Sequence, residues 1–206
     1  HDGALPAFKG LYGFPGSICI SVNEEIVHGI PSRKRVLREG DIVSLDIGVK
    51  YRGYYTDAAT TVPVGQVDAV TARLLEVTER ALEAGIAAAV SGNYIGDIGA
   101  AVQGVVEPAG FSVVRDLVGH GIGAEPHEDP QVPNHGKPKR GKKLLPGLCI
   151  AIEPMVNVGS ALTRTLADRW TVVTIDGARS AHFEHTVAIT EHGTRILTQS
   201  PAHATV

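Results

Sequence analysis

Three carboxylates interrupt segments that otherwise read as apolar β-strands. Asp46 sits in Ser44-Leu45-Asp46-Ile47-Gly48, and Glu153 ends Cys149-Ile150-Ala151-Ile152-Glu153. Glu184 sits in His182-Phe183-Glu184-His185-Thr186-Val187. Alternation puts the bulky apolar residues on the face opposite each acid. The acid's own face carries small or polar neighbours: Ser44 and Gly48, Cys149 and Ala151, Thr186 and Ala188. One sheet face is therefore expected to pack on helices, and the other to leave room for a carboxylate-lined cleft. Burying one ionised carboxylate unpaired costs several kcal/mol, and the chain has no matching set of strand lysines or arginines. A fold that buries these acids has to bring them to cations, and a metal cluster is the simplest solution.

Asp57 and His120 extend the set. Asp46 to Asp57 reads strand, turn, strand, with Tyr51-Arg52-Gly53 near the middle. A hairpin centred between 51 and 52 sets 46 opposite 57, with Cβ atoms about 5 Å apart. Two bare carboxylates there repel each other, and a divalent cation relieves the repulsion. His120 lies in Val118-Gly119-His120-Gly121-Ile122-Gly123, where the glycines are expected to let the backbone approach a ligand. His127 follows in Pro126-His127-Glu128-Asp129-Pro130. The Gly-rich run lacks the order of a dinucleotide loop, and no HExxH, GxSxG or CxxC occurs.

The rest of the 206 residues fills in the class. Strands are expected at Ser17–Val22 and Asp41–Lys50, helices at Val67–Val90 and Ile95–Ala109, and strands again at Ser112–Val118, Leu148–Glu153, Trp170–Ile175 and His182–Ile189. Gly110 fits the position just past the second helix, and Asp176-Gly177 suggests a hairpin turn between the last two strands. Residues 1–16 read as an irregular lead-in. Strands, helices, then strands indicate an α+β fold with a mostly antiparallel sheet, and residues 1–206 are read as a single catalytic domain. A net charge of −3 argues against a mainly electrostatic DNA or RNA binder. The basic stretch Lys137, Lys139, Arg140, Lys142 and Lys143 is read as a solvated loop. No apolar run reaches the ~20 residues of a membrane span. Cys19 and Cys149 make no disulfide framework, which favours a reducing, cytoplasmic setting. Nothing calls for an oligomer, so a monomer is the default.

The order Asp46, Asp57, His120, Glu153, Glu184, at intervals of 11, 63, 33 and 31, resembles the dinuclear metal site of the type I methionine aminopeptidases. The surrounding motifs are similar too: Asn23-Glu24-Glu25-Ile26-Val27-His28-Gly29-Ile30-Pro31, Gly119-His120-Gly121-Ile122-Gly123, Ile152-Glu153-Pro154-Met155 and Phe183-Glu184-His185-Thr186. The resemblance runs from about Leu11 to Leu197. It implies the pita-bread fold, creatinase/aminopeptidase-like, with two pseudo-two-fold halves and helices packed on one face. It implies two divalent ions (Co, Mn, Fe or Zn) bridged by Asp57 and Glu184, with Asp46 completing one site and His120 and Glu153 the other. It implies removal of N-terminal methionine from peptides or nascent chains by a metal-bridged hydroxide, with His28, His127 and Glu153 catalytic. His28, His127, Cys19 and Trp170 would face the substrate, and a ribosome contact is left open. Relative to the family pattern the chain is read as truncated at its N-terminus. Pro126 and Leu11 depart from it where aromatic residues can occur, which leaves the shape of the pocket open. A proline-directed peptidase and a non-enzymatic binding module on the same fold are the alternatives. The Asn23–Pro31 motif argues against the first, and the complete ligand set against the second.

Overall fold

The computed structural model describes residues 3–199. In the first half lie β1 (Leu5–Pro6), β2 (Cys19–Val22), β3 (Glu25–Val27), β4 (Ile42–Tyr51) and β5 (Tyr54–Pro63), then α1 (Ala69–Ala88) and α2 (Ile95–Val106). The second half holds β6 (Ser112–Val113), β7 (Gly119–Gly121), β8 (Glu128–Val132), β9 (Cys149–Ile152), β10 (Met155–Asn157), β11 (Thr163–Thr165) and β12 (Val172–Thr174). It ends with β13 (Ser180–His182), β14 (Glu184–Thr190) and β15 (Gly193–Ile196). A nine-stranded sheet runs β1-β4-β5-β14-β9-β7-β8, with β2 on β4 and β15 on β14. Two three-stranded sheets, β13-β10-β6 and β11-β12-β3, flank it. Every described pair of strands is antiparallel. The α+β expectation therefore holds. No helix among the described residues is long and apolar enough to cross a membrane.

Both helices start where local chemistry starts them. Asp68 caps α1, its carboxylate accepting from the Thr71 N–H at 2.9 Å. Asp97 reaches back to the Tyr94 N–H at 2.7 Å at the head of α2. Gly110, at φ 84°, ends the short 3₁₀ turn that follows α2. Leu74 and Ala81 of α1, and Ile98 and Val102 of α2, pack with Ile150, Ile152, Val187 and Ile189 of β9 and β14 in one core. Burying each large side chain is worth ~1.5–3 kcal/mol. The two helices thus roof β9 and β14 and fix the strands that carry Glu153 and Glu184.

Several sequence expectations need correction. The β4–β5 turn is Arg52-Gly53, both at positive φ (49° and 89°), with Tyr51 opposite Tyr54. The hairpin is therefore centred between 52 and 53. Asp57 faces Gly48, Asp46 faces Ala59, and the two acids are diagonal neighbours on one face. His182–Ile189 is two strands: β13 belongs to a small sheet, Phe183 is a break, and β14 joins the large sheet. The pairing of β13 is with β10, so Asp176-Gly177 is a local turn, not the hairpin of the last two strands. In 112–118 only Ser112–Val113 is strand. The helical roof covers the apolar faces of β9 and β14 but not that of β4, where Ile47 is 47% exposed beside half-buried Leu45 and Val49.

The seam of the large sheet lies between β5 and β14. Only two residue pairs join them, Glu184 with Ala59 and His185 with Ala58. Threonine hydroxyls extend the ladder at both ends. Thr186 Oγ1 accepts from Asp57 N–H and donates to Asp57 C=O, each at 2.8 Å. Thr61 Oγ1 does the same for His182, at 2.9 and 2.8 Å. The reciprocal pattern fits two related halves meeting at this line.

Candidate metal centre

The seam carries the acids. Asp46 and Asp57 come from the β4–β5 hairpin, Glu184 from the start of β14, Glu153 from the residue after β9, and His120 from the middle of β7. All five line one cavity of about 270 Å³, together with His28, His127, Cys19 and Trp170. Ligand atoms of Asp57, His120 and Glu184 lie within 4.8 Å of one another. Glu153 Oε1 is 3.5 Å from His120 Nε2. No lysine or arginine is among the described residues lining the cavity.

Close backbone approach delivers His120. A Cβ on Gly119 would stand 2.3 Å from the Ala151 carbonyl oxygen, and one on Gly121 2.4 Å from that of Asp129. These glycines let β7 lie close against β9 and the β8 segment. His120 Nδ1 lies 2.9 Å from the Gly121 carbonyl. A carbonyl can only accept, so Nδ1 carries the proton and Nε2 presents a bare lone pair to the acids. Asn134 Nδ2 donates to the Glu153 carbonyl at 2.9 Å and steadies the end of β9.

The electrostatics demand a cation. Asp46, Asp57 and Glu184 are 8%, 6% and 2% exposed, and Asp46 Oδ1 has no hydrogen-bond partner among the described residues. Burial pushes Asp57 up to about 7. Burial and the Asp57 charge hold Asp46, Glu153 and Glu184 well above the carboxylate range. Burial lowers His120 to about 4, so its imidazole is neutral. Four clustered acids, an orphaned carboxylate oxygen and one neutral imidazole form an oxygen-rich set suited to hard or borderline divalent ions. The residues fit a metal.

The remaining wall is apolar and aromatic. Phe8, Phe14 and Cys19 cluster with Leu11 and Trp170, and the Phe14 and Trp170 rings meet edge to face at 5.2 Å. Phe8 packs over Gly48, where a Cβ would come within 2.5 Å of its ring. The room beside Asp46 is therefore filled by an aromatic side chain. His127 stands edge-on to His120 at 4.5 Å and stacks with Tyr12 at 6.2 Å. Burial lowers His127 below the usual histidine range, and His28 likewise, with His127 adding to the effect on His28. Phe8, Tyr12, Phe14, Leu117 and Met155 line the cavity but were not singled out in the sequence. His182 was also passed over. It is fully buried, and its Nε2 lies 3.8 Å from Glu153 Oε2.

Comparison with known proteins gives a consistent picture. The model of metallopeptidase family M24 matches residues 4–191. Methionine aminopeptidase 1 of Bacillus subtilis is 57% identical over 198 residues, 96% of this chain and 79% of that protein. Methionine aminopeptidase of Clostridium acetobutylicum is 53% identical, over 95% of this chain and 78% of the relative. Among solved structures, methionine aminopeptidase from Thermotoga maritima aligns with a TM-score of 0.94 at 50% identity, over 96% of this chain and 79% of that one. Prolidase from Pyrococcus furiosus aligns with a TM-score of 0.69 at 26% identity, over 89% and 49%.

Proposed function

The chain belongs to metallopeptidase family M24 and, within it, to the methionine aminopeptidases, and from that premise we propose how its own side chains carry out the hydrolysis. It is a metal-dependent aminopeptidase that removes N-terminal methionine from peptides. Asp57 and Glu184 would hold two divalent ions in common, with Asp46 completing one site and His120 and Glu153 the other. Once bound, such ions (Co, Mn, Fe or Zn) offset the carboxylate charge and lower the pKa of a water, giving a nucleophile near neutral pH. Glu153 takes up the proton released and passes it towards the leaving amine. His127 donates a hydrogen bond to the scissile carbonyl oxygen, where charge develops. His28 contacts the scissile amide nitrogen. Cys19, Trp170 and the phenylalanines beside them enclose the methionine side chain, whose sulfur gains from aromatic neighbours. One missing methylene in such a pocket is worth ~1–3 kcal/mol, so selection for methionine is strong without being absolute.

The observation that carries this reading is the convergence of four acids and one bare imidazole nitrogen on a cavity whose other wall is aromatic. The substrate is a free peptide or a nascent chain, with the ribosome as a partner in the second case. A cytoplasmic monomer accords with two unpaired cysteines and with a site supplied by one chain.

The test is metal analysis with a peptide assay. The protein should bind about two equivalents of manganese or cobalt and release methionine from Met-Ala-Ser. Asp57→Ala should abolish release, because this one residue would serve both ions. Faster cleavage of an Ala-Pro peptide than of Met-Ala-Ser would favour a prolidase-like specificity. Folded protein that binds no divalent ion would refute the metallopeptidase mechanism.

A further inference from the structure

Glu153 is fixed at its main chain and free at its tip. Asn134 anchors its carbonyl, while its carboxylate stands between two imidazoles. Oε1 is 3.5 Å from His120 Nε2, and Oε2 is 3.8 Å from His182 Nε2. His182 is 2% exposed, and neither of its ring nitrogens has a hydrogen-bond partner among the described residues. A buried donor without an acceptor is a costly arrangement that a packed core ordinarily avoids. The residue cannot relieve it by swinging outward. Thr61 bonds both its N–H and its C=O, and β13 pairs it with Met155. At 3.8 Å Oε2 stands just outside hydrogen-bond distance, and the last torsion of Glu153, broad and roughly two-fold, leaves the carboxylate free to turn towards the ring.

We propose that His182 is a positioning residue: in the metal-loaded protein its Nε2–H donates to Glu153 Oε2 and locks that carboxylate, so that Oε1 stays on the His120 side. This rests on the mechanism proposed above. The role is that of a fixed donor, and no proton is exchanged. Glu153 thereby presents one oxygen to the ions and keeps the other hydrogen-bonded, an outer-contact device that sets ligand orientation at metal sites.

The test compares His182→Leu and His182→Gln with the wild type, using manganese affinity by calorimetry and steady-state kinetics on Met-Ala-Ser. Removing the donor should weaken manganese binding about 10- to 100-fold. It should also lower kcat with KM nearly unchanged. His182→Gln, which restores a neutral N–H, should recover most of both. Wild-type affinity and kcat in folded His182→Leu would overturn the proposal, as would a folded His182→Gln as impaired as the leucine variant. Nitrogen-15 spectra of histidine-labelled, zinc-loaded wild type test it without substitution. They should show His182 as the neutral Nε2–H tautomer, and the opposite tautomer would refute it. A wild type that binds no metal defeats the underlying mechanism instead, so the two failures are distinct.

Discussion

Asp57 sits at the crossing of every charge in the site, and its raised pKa sets a measurable pH dependence. Without metal its carboxyl holds a proton up to about pH 7. Ions bound as proposed would displace that proton, so manganese affinity should fall as pH drops below 7, by about tenfold per pH unit for the Asp57 proton. His120, neutral down to about pH 4, does not compete in that range. Calorimetric titration with manganese in two buffers of different ionisation enthalpy should show net proton release near pH 6. The same shift bears on stability with the opposite sign from an ordinary carboxylate. The folded metal-free state keeps a proton that the unfolded chain gives up, so Asp57's contribution is present below about pH 4 and is lost as pH rises to about 7. His120 and His182, lowered to about 4 and 3, work the other way below the usual histidine range. At this scale the acids were legible in the sequence, because a carboxylate inside an apolar strand is an anomaly that needs a partner. The aromatic wall was not. Phe8 and Phe14 come from an irregular segment with no period to read, and their neighbours Leu11, Cys19 and Trp170 rested on resemblance alone.

Among the elements, β7 does the most with the least. It is three residues long, and its middle residue is His120. Its place beside β9 depends on Gly119 having no side chain. Gly119→Ala would drive a methyl group into the Ala151 carbonyl, which is backbone and cannot turn aside. We expect a loss of ~1–3 kcal/mol, the usual cost of overpacking, measured by urea unfolding of the metal-free protein. Manganese affinity should fall as well, because the displaced strand carries His120 with it. Helices α1 and α2 were read correctly from their 3.6-residue spacing and lie within a few residues of the expected bounds. The strands were harder. The β4–β5 turn was misplaced by one residue because Arg52-Gly53 lacks the Asn-Gly signature of such turns, although Arg52 adopts the left-handed conformation. The segment 182–189 kept one alternation across Phe183, so its transfer from one sheet to another left no mark in the pattern.

Across the whole molecule, the nine-stranded sheet is roofed unevenly. Helices cover β9 and β14, while the outer face of β4 and β5 leaves Ile47, Tyr51, Tyr54 and Val62 in contact with water. The chain spans about four-fifths of the length of the relatives it matches, 79% of the Bacillus subtilis protein. The buried core under the helices is much the larger, and the smaller cluster of Phe8, Phe14 and Cys19 packs beside the hairpin that supplies Asp46 and Asp57. Phe14→Ala should loosen that smaller core and raise KM for Met-Ala-Ser more than it lowers kcat, since Phe14 lines the pocket and touches Trp170. Steady-state kinetics on the folded variant will show this split. Across the β5–β14 line of the large sheet run two residue pairs and two threonine clasps, and beside it β3 pairs with β12. Cations held jointly by Asp57 and Glu184 would act as rivets through that line. Stripped of them, the molecule should melt as two loosely coupled bodies, with a van't Hoff enthalpy below the calorimetric one. Loaded, it should come apart in a single step at a higher temperature. The ions that perform the chemistry would then also decide whether the protein behaves as one cooperative unit.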